Sequence, residues 1–276
     1  MQNVVGQSKL VSIFTNYTLN TMPSTLLLLG EKGSGKTFLT QRLAKHLNLE
    51  LVHLSNSTSA DDLISFAQSP VVKLYHIDLS EISDKAQNKF LKFIEEPTNT
   101  VKIILEAESE VGVLPTILNR CHKLTLEAYS IEELRSFAWS PKTLDPLAYR
   151  FYNTPGKLNT LSNPGMFTNL QEFCNQLLAY FPTSREADYA NAMTACVKVC
   201  TKKEDTYKFD FEVFFDMFAY TAFENYRLTG NTFSFDAYLY VIDYKQQMLN
   251  KSVAKEAALL NFLSNLWRIA HDLKRS

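Results

Sequence analysis

The sequence predicts an α/β fold, a parallel sheet wrapped by helices, with an all-helical region after it, and three observations carry that expectation. The apolar run at 26–29 leads into Gly30-Glu31-Lys32-Gly33-Ser34-Gly35-Lys36-Thr37, and Leu39, Leu43 and Leu47 then recur at helical spacing. Apolar strand-like segments and helical patterns alternate through the first half of the chain. Beyond about residue 164 only helical periodicity remains, rich in aromatic side chains.

The glycine-rich stretch is a phosphate-binding loop. Gly30, Gly33 and Gly35 permit a turn tight enough for backbone N–H groups, that of Ser34 included, to surround the phosphates of a nucleotide. Lys36 then reaches the terminal phosphates, Thr37 offers a hydroxyl to Mg²⁺, and the N-terminus of the following helix faces the anion.

Ahead of the loop, residues 2–20 read as a short helix with Val11, Phe14 and Tyr17 on one face, broken by Met22-Pro23-Ser24. Gln7 is either an adenine-side contact or a polar residue in a turn. Beyond the loop, 49–54 alternates as a strand, and Ser59-Ala60-Asp61-Asp62 forms a capping box that opens a helix through Phe66. The mostly apolar segment 71–78 ends in Asp78, where a strand terminus places a hard oxygen ligand for Mg²⁺ beside Thr37. Leu79 follows, where a hydrolysing enzyme of this type carries a glutamate. Glu81 is the nearest acid, and reads either as the catalytic carboxylate or as an exposed loop acid. A helix over 84–96 places Ala86, Phe90, Phe93 and Ile94 on one face and Lys85, Lys89 and Lys92 mostly on another, and Pro97 stops it. A strand at 101–105, the segment 114–121 and a short strand at 123–126 complete this half.

Composition limits the alternatives. The 276 residues carry 46% hydrophobic side chains and a net charge of −1, which suits two or three small domains and gives no global attraction to nucleic acid. No run approaches a membrane span, and the start Met1-Gln2-Asn3-Val4-Val5-Gly6-Gln7 lacks the regions of a signal peptide, so the expected location is the cytoplasm, with no membrane partner. Cys121, Cys174, Cys196 and Cys200 contain no C-x-x-C and read as reduced core thiols.

The phosphate loop, the Asp78 strand end, Ala86-Gln87-Asn88 running into Leu91-Lys92-Phe93-Ile94-Glu95-Glu96-Pro97, and Leu114-Pro115-Thr116-Ile117-Leu118-Asn119-Arg120-Cys121 occur in one order and spacing. Together with Val4-Val5-Gly6-Gln7 they resemble the sliding-clamp loader subunits of bacterial DNA polymerase III, of the gamma/tau and delta-prime type, within the AAA+ ATPases. The resemblance covers roughly residues 3 to 165. It implies ATP and Mg²⁺ as cofactors, a five-membered assembly with other loader subunits, and a ring-shaped clamp opened and closed around primer-template DNA. It also implies that Arg120 reaches the ATP of a neighbouring subunit and stabilises charge there, as arginine fingers do. Tyr152-Asn153-Thr154-Pro155-Gly156-Lys157-Leu158 looks like the family's second sensor, so Lys157 is either a γ-phosphate contact or an exposed lysine after a turn. Lys85 and Lys89 would face DNA in a shared channel.

The sequence also departs from the family. The stretch from Asp78 to Ala86 is one residue shorter, Leu79 replaces the glutamate, Asn119 replaces the serine of the Ser-Arg-Cys motif, and Glu106-Ala107-Glu108 stands where threonines are usual. Lys36 and Asp78 are too close in sequence to enclose the zinc module of many relatives, so no zinc is expected. The expected division is a nucleotide-binding domain over 1–127, a helical lid over 128–163 and a helical collar over 164–276. The expected function is ATP binding, with hydrolysis, in a clamp loader. Its alternative is a stator of the same complex that binds nucleotide without turning it over. A helicase loader and a small-molecule phosphotransferase are further rivals, the latter opposed by a lid whose only arginines are Arg135 and Arg150.

Overall fold

The structure, a computed structural model, describes residues 4–137, 140–141, 143–161, 165–184, 211–248 and 255–272. Five strands, β1 (Thr25–Leu29), β2 (Glu50–Leu54), β3 (Lys73–Asp78), β4 (Val101–Ala107) and β5 (His122–Thr125), pair in parallel in the order β2-β3-β4-β1-β5. Helices α1 (Ser8–Asn16), α2 (Lys36–His46), α3 (Ala60–Ala67), α4 (Asp84–Glu95) and α5 (Pro115–Leu118) connect and cover them.

A sheet covered on both faces must be apolar on both, and β1 is buried along its whole length. Its side chains divide with the pleat. Leu27 and Leu29 join Tyr75, Ile77, Ile103 and Leu105 against Leu63 of α3 and Phe90, Phe93 and Ile94 of α4. Leu26 and Leu28 join Leu74 and Ile104 against Phe14 of α1 and Leu39 and Leu43 of α2. Each such buried side chain is worth about 1.5–3 kcal/mol, so packing on both faces fixes where the strands end. β4 runs two residues beyond the sequence expectation, pairing Leu28 with Glu106 and Leu29 with Ala107. A carboxylate normally ends an apolar strand, and this one is accommodated by the hydrogen bonds described below.

The expected capping box at α3 is present: the Ser59 hydroxyl accepts from the Asp62 amide, and the Asp62 side chain accepts from the Ser59 amide. Gln87, in the first half of α4, donates to the Gly112 carbonyl at 2.8 Å and accepts from the Leu114 amide at 3.2 Å. That side chain links the Ala86-Gln87-Asn88 motif physically to the start of the Leu114-Pro115 motif.

The described chain divides into two compact units, Met1–Ser140 with Asn153–Asn159, and Pro141–Tyr152 with Thr160–Ser276. The first unit also holds α6 (Ile131–Ser136), capped by Ser130 and Glu133, and α7 (Pro155–Asn159). The second contains α8 (Gly165–Tyr180), α9 (Phe211–Thr229), α10 (Thr232–Met248) and α11 (Lys255–Asp272). Its core gathers on Phe262, whose ring has those of Phe215, Phe218, Tyr240 and Tyr244 at 5.1–5.4 Å. The expected turn between α9 and α10 is made by Gly230 at φ 69°, its amide closing on the Tyr226 carbonyl. The expected break at Asn250-Lys251-Ser252, Phe209, Cys196 and Cys200 lie outside the described residues. Among the described residues no helix is long and apolar enough to cross a membrane.

Candidate nucleotide-binding site

The loop between β1 and α2 has the shape that the glycine spacing requires. Gly33 and Gly35 adopt φ 76° and 96°, in the left-handed region that favours glycine, and Gly35 caps the N-terminus of α2. Ser34 is buried. The Lys36 ammonium donates to the Gly30 carbonyl at 2.7 Å and the Glu31 carbonyl at 3.1 Å, folded over the loop it serves. Burial pushes its pKa down, opposed by Glu106, Glu108, Asp78 and Glu31 around it. A cleft of about 710 Å³ opens here, with Lys36, Thr37, Asp78, Glu81 and Glu106 among its walls.

Strand order explains why these groups meet. β4 lies between β1, which ends in the loop, and β3, which ends in Asp78, so the carboxyl end of β4 stands between the two. Asp78 and Glu106 are partners in register. Glu106 is completely buried. Its Oε2 accepts from the Thr37 hydroxyl and its Oε1 from the Thr40 hydroxyl, each at 2.7 Å. The Nε2 of His76 comes within 2.9 Å of Oε1 but outside hydrogen-bond geometry, while its Nδ1 lies 2.8 Å from that of His53. Burial alone would push the Glu106 carboxyl up, but His76 and the hydroxyls of Thr37 and Thr40 outweigh it and hold the pKa below its ordinary value. In the sequence Glu106 stands out only as a departure from the family pattern. The available signal was a lone charge inside the apolar run Ile103-Ile104-Leu105-Glu106-Ala107.

The acid positions that flank Asp78 differ in what they face. Leu79 is buried in the core under α4, because the chain turns there into a short 3-10 helix (Leu79–Glu81) held by Asp78 accepting from the amide and hydroxyl of Ser80. Glu81 emerges from that turn exposed at the wall of the cleft, with its own carbonyl accepting from the Asn56 side chain.

The segment ahead of α7 lies directly on the loop. Asn153 donates to the Glu31 carboxylate at 2.9 Å, the Thr154 hydroxyl to the Lys32 carbonyl at 3.0 Å, and the Gly156 amide to the Gly33 carbonyl at 2.8 Å. Lys157 pairs with Glu31 at 3.4 Å. On the other side, the Tyr129 hydroxyl donates to the Ser34 carbonyl at 2.9 Å. Gln7, buried in a left-handed turn, takes both backbone groups of Glu127, donating to its carbonyl at 2.7 Å and accepting from its amide at 2.8 Å.

The remaining predicted residues stand elsewhere. Arg120 follows α5, donates to the Thr116 carbonyl at 2.9 Å and pairs with Glu95 at 3.4 Å, half exposed and not among the residues that wall the cleft. The Lys89 ammonium donates to the carbonyls of Asn56 at 2.9 Å and Thr58 at 2.5 Å and so holds the loop before α3. The side chain of Lys85 lies outside what is described. Cys121 is a free thiol that burial pushes up to about 11, with Lys123 pulling slightly the other way.

The donor set suits a magnesium nucleotide. The positive-φ residues Gly33 and Gly35 leave the backbone open at those two positions, Lys36 carries charge, and Thr37 and Asp78 could supply hard oxygen ligands. Residues 50–130 match the family described as DNA polymerase III, delta subunit. The chain is 25% identical over 167 residues to the DNA polymerase III subunit gamma of Buchnera aphidicola subsp. Baizongia pistaciae, covering 48% of this chain and 45% of that protein. It is 27% identical over 168 residues to the subunit tau of Escherichia coli K12, covering 48% and 26%. The matched segment thus spans less than half the length of either relative. Among solved structures, a DNA polymerase III gamma subunit-related protein from Thermotoga maritima superposes with a TM-score of 0.50 at 16% identity, over 95% of this chain and 99% of that one, a likeness of fold. The architecture is that of a parallel α/β P-loop domain followed by a helical region.

Proposed function

We propose, from the premise that this chain is a clamp-loader subunit of the gamma/tau and delta-prime type, that it binds Mg²⁺-ATP between Lys36, Thr37 and Asp78. We propose further that it uses this binding to help open a sliding clamp and load it on primer-template DNA. The observation that carries the reading is the meeting of the glycine loop and Thr37, beyond the carboxyl end of β1, with Asp78, at the carboxyl end of β3, across β4 in a cleft of nucleotide size.

Each residue has a role in this reading. The loop amides and Lys36 bind the phosphates, which requires the ammonium to leave the carbonyls of Gly30 and Glu31. Mg²⁺ bound with ATP would neutralise phosphate charge and favour phosphoryl transfer. Thr37 and Asp78 hold it. Lys157 turns from Glu31 to the terminal phosphate. Arg120, poised by Glu95 and the Thr116 carbonyl, serves the site of a neighbouring subunit. Lys85 and Lys89 contact DNA within the assembly, Lys89 after releasing the carbonyls of Asn56 and Thr58. The domain over 1–127 acts as the nucleotide module, 128–163 as its lid and 164–276 as the oligomerisation collar.

A second reading, a stator that binds nucleotide without turning it over, is favoured by Leu79, which is buried where a hydrolysing enzyme of this type carries a glutamate. Steady-state ATP turnover, alone and with clamp and primed DNA, separates the two when measured beside Lys36→Ala, Glu81→Gln and Arg120→Ala. Stimulated turnover lost in all three variants supports a motor in which Glu81 positions water. Tight binding without turnover supports the stator. Absence of nucleotide binding by the native chain overturns both.

A further inference from the structure

We infer that Glu106 is a positioning residue for the metal: it accepts the hydrogen bond of the Thr37 hydroxyl, so that Thr37 presents only lone pairs to a magnesium ion brought in with nucleotide. The inference deepens the nucleotide reading above and rests on it.

A hydroxyl has one proton to donate and two lone pairs with which to accept. Left alone beside a cleft it rotates, and a metal must then select the orientation in which the proton points away. Here the direction is already chosen. Thr37 Oγ1 stands 2.7 Å from Glu106 Oε2, and an ionised carboxylate can only accept, so the proton lies on the line between them. Thr40 fixes the other oxygen at 2.7 Å, which stops the carboxylate from turning. Glu106 is itself immobile, being buried within a strand that is paired on both sides, to β1 and to β3. Thr37 remains exposed at the wall of the cleft, beside Asp78. A metal ligand gains in two ways from an acceptor placed behind it: its orientation is fixed and its oxygen becomes more basic.

The test is nucleotide affinity of the full chain by fluorescent ATP titration, with Mg²⁺ and with EDTA, for the native protein, Glu106→Leu and Thr40→Val. Thermal unfolding checks that each variant is folded. The expected result is a loss of about 10- to 100-fold in Mg²⁺-ATP affinity for Glu106→Leu, with no loss of affinity in EDTA, where removal of a carboxylate from the cleft can only favour the polyphosphate. Thr40→Val, which frees the carboxylate to turn while leaving the Thr37 bond possible, should lose Mg²⁺-ATP affinity by less than Glu106→Leu does, again without a loss in EDTA. If Glu106→Leu does not fold, Glu106→Asp carries the same expectation, since it keeps the charge but draws the carboxylate back from both hydroxyls. Equal losses with and without Mg²⁺, or no loss at all, would overturn the inference while leaving nucleotide binding intact. A native chain that binds no Mg²⁺-ATP would overturn the nucleotide reading, and this inference with it.

Discussion

Gly156 and Gly33 meet backbone to backbone: a Cβ added to Gly156 would stand 2.4 Å from the Cα of Gly33, and the Gly156 amide donates to the Gly33 carbonyl at 2.8 Å. Neither position admits a side chain. Gly156→Ala should therefore destabilise the first unit by about 1–3 kcal/mol, the range typical of overpacking. Denaturant unfolding measures the cost. Hydrogen exchange at the Gly156 amide should speed up in the variant, because 153–159 must lift from the loop to make room. An unchanged unfolding midpoint with unchanged exchange would show that the contact is dispensable.

Restoring a glutamate directly after Asp78 should fail to create an ATPase. Leu79 is 5% exposed within the core under α4, so Leu79→Glu places a carboxylate where the structure provides no partner. The expected cost is about 3 kcal/mol or more, with no gain in turnover. Leu79→Met, which conserves volume, should cost less than about 1.5 kcal/mol. Urea unfolding and ATP turnover on the same preparations decide the matter.

Gln7 acts as a clasp between the turn ahead of α1 and Glu127, two residues beyond β5. Gln7→Ala removes both partners from the backbone of Glu127 and empties a buried position. A loss of about 1–3 kcal/mol is expected, as for other buried polar groups left unpaired. The measurement is the unfolding midpoint, with exchange at the Glu127 amide as the local readout.

Cys121 should be slow to alkylate near neutral pH. Burial raises its thiol to about 11 from an ordinary 9.0, so the folded protein favours the thiol and the reactive thiolate appears only as pH climbs toward that value. At pH 8 its rate should be roughly 100-fold below that of the unfolded chain, rising about ten-fold per pH unit until near 11. Peptide-resolved mass spectrometry after iodoacetamide pulses distinguishes it from the other three cysteines.

What the sequence revealed of this site was what lies close together in the chain. The glycines, Lys36 and Thr37 are one contiguous stretch, and the Ser59 capping box and the Gly230 turn follow from residues a few positions apart. Glu106 was not legible in that way. Its partners, Thr37 and Thr40 on α2 and His76 on β3, are brought to it by the sheet order alone, so an isolated charge in an apolar strand gives no direction in which to look. The same holds for Gly156, whose need to be glycine is set by Gly33, over a hundred residues earlier. Lys89 illustrates the converse: a lysine on the polar face of a helix is read as free charge, yet its reach extends to two carbonyls of a neighbouring loop.

The walls of the cleft include four carboxylates, Asp78, Glu81, Glu106 and Glu108, and two ammonium groups, Lys32 and Lys36. The wall side chains thus carry a net charge of the same sign as an incoming polyphosphate, and they oppose the attraction of the loop amides and the α2 N-terminus. Capture of metal-free nucleotide should accelerate as ionic strength rises and the Debye length shortens, whereas its magnesium complex, carrying less charge, should respond less. Stopped-flow association at low and moderate salt would read this directly. The cleft would then favour nucleotide that arrives already paired with its counter-ion, through the kinetics of arrival as much as through the strength of binding.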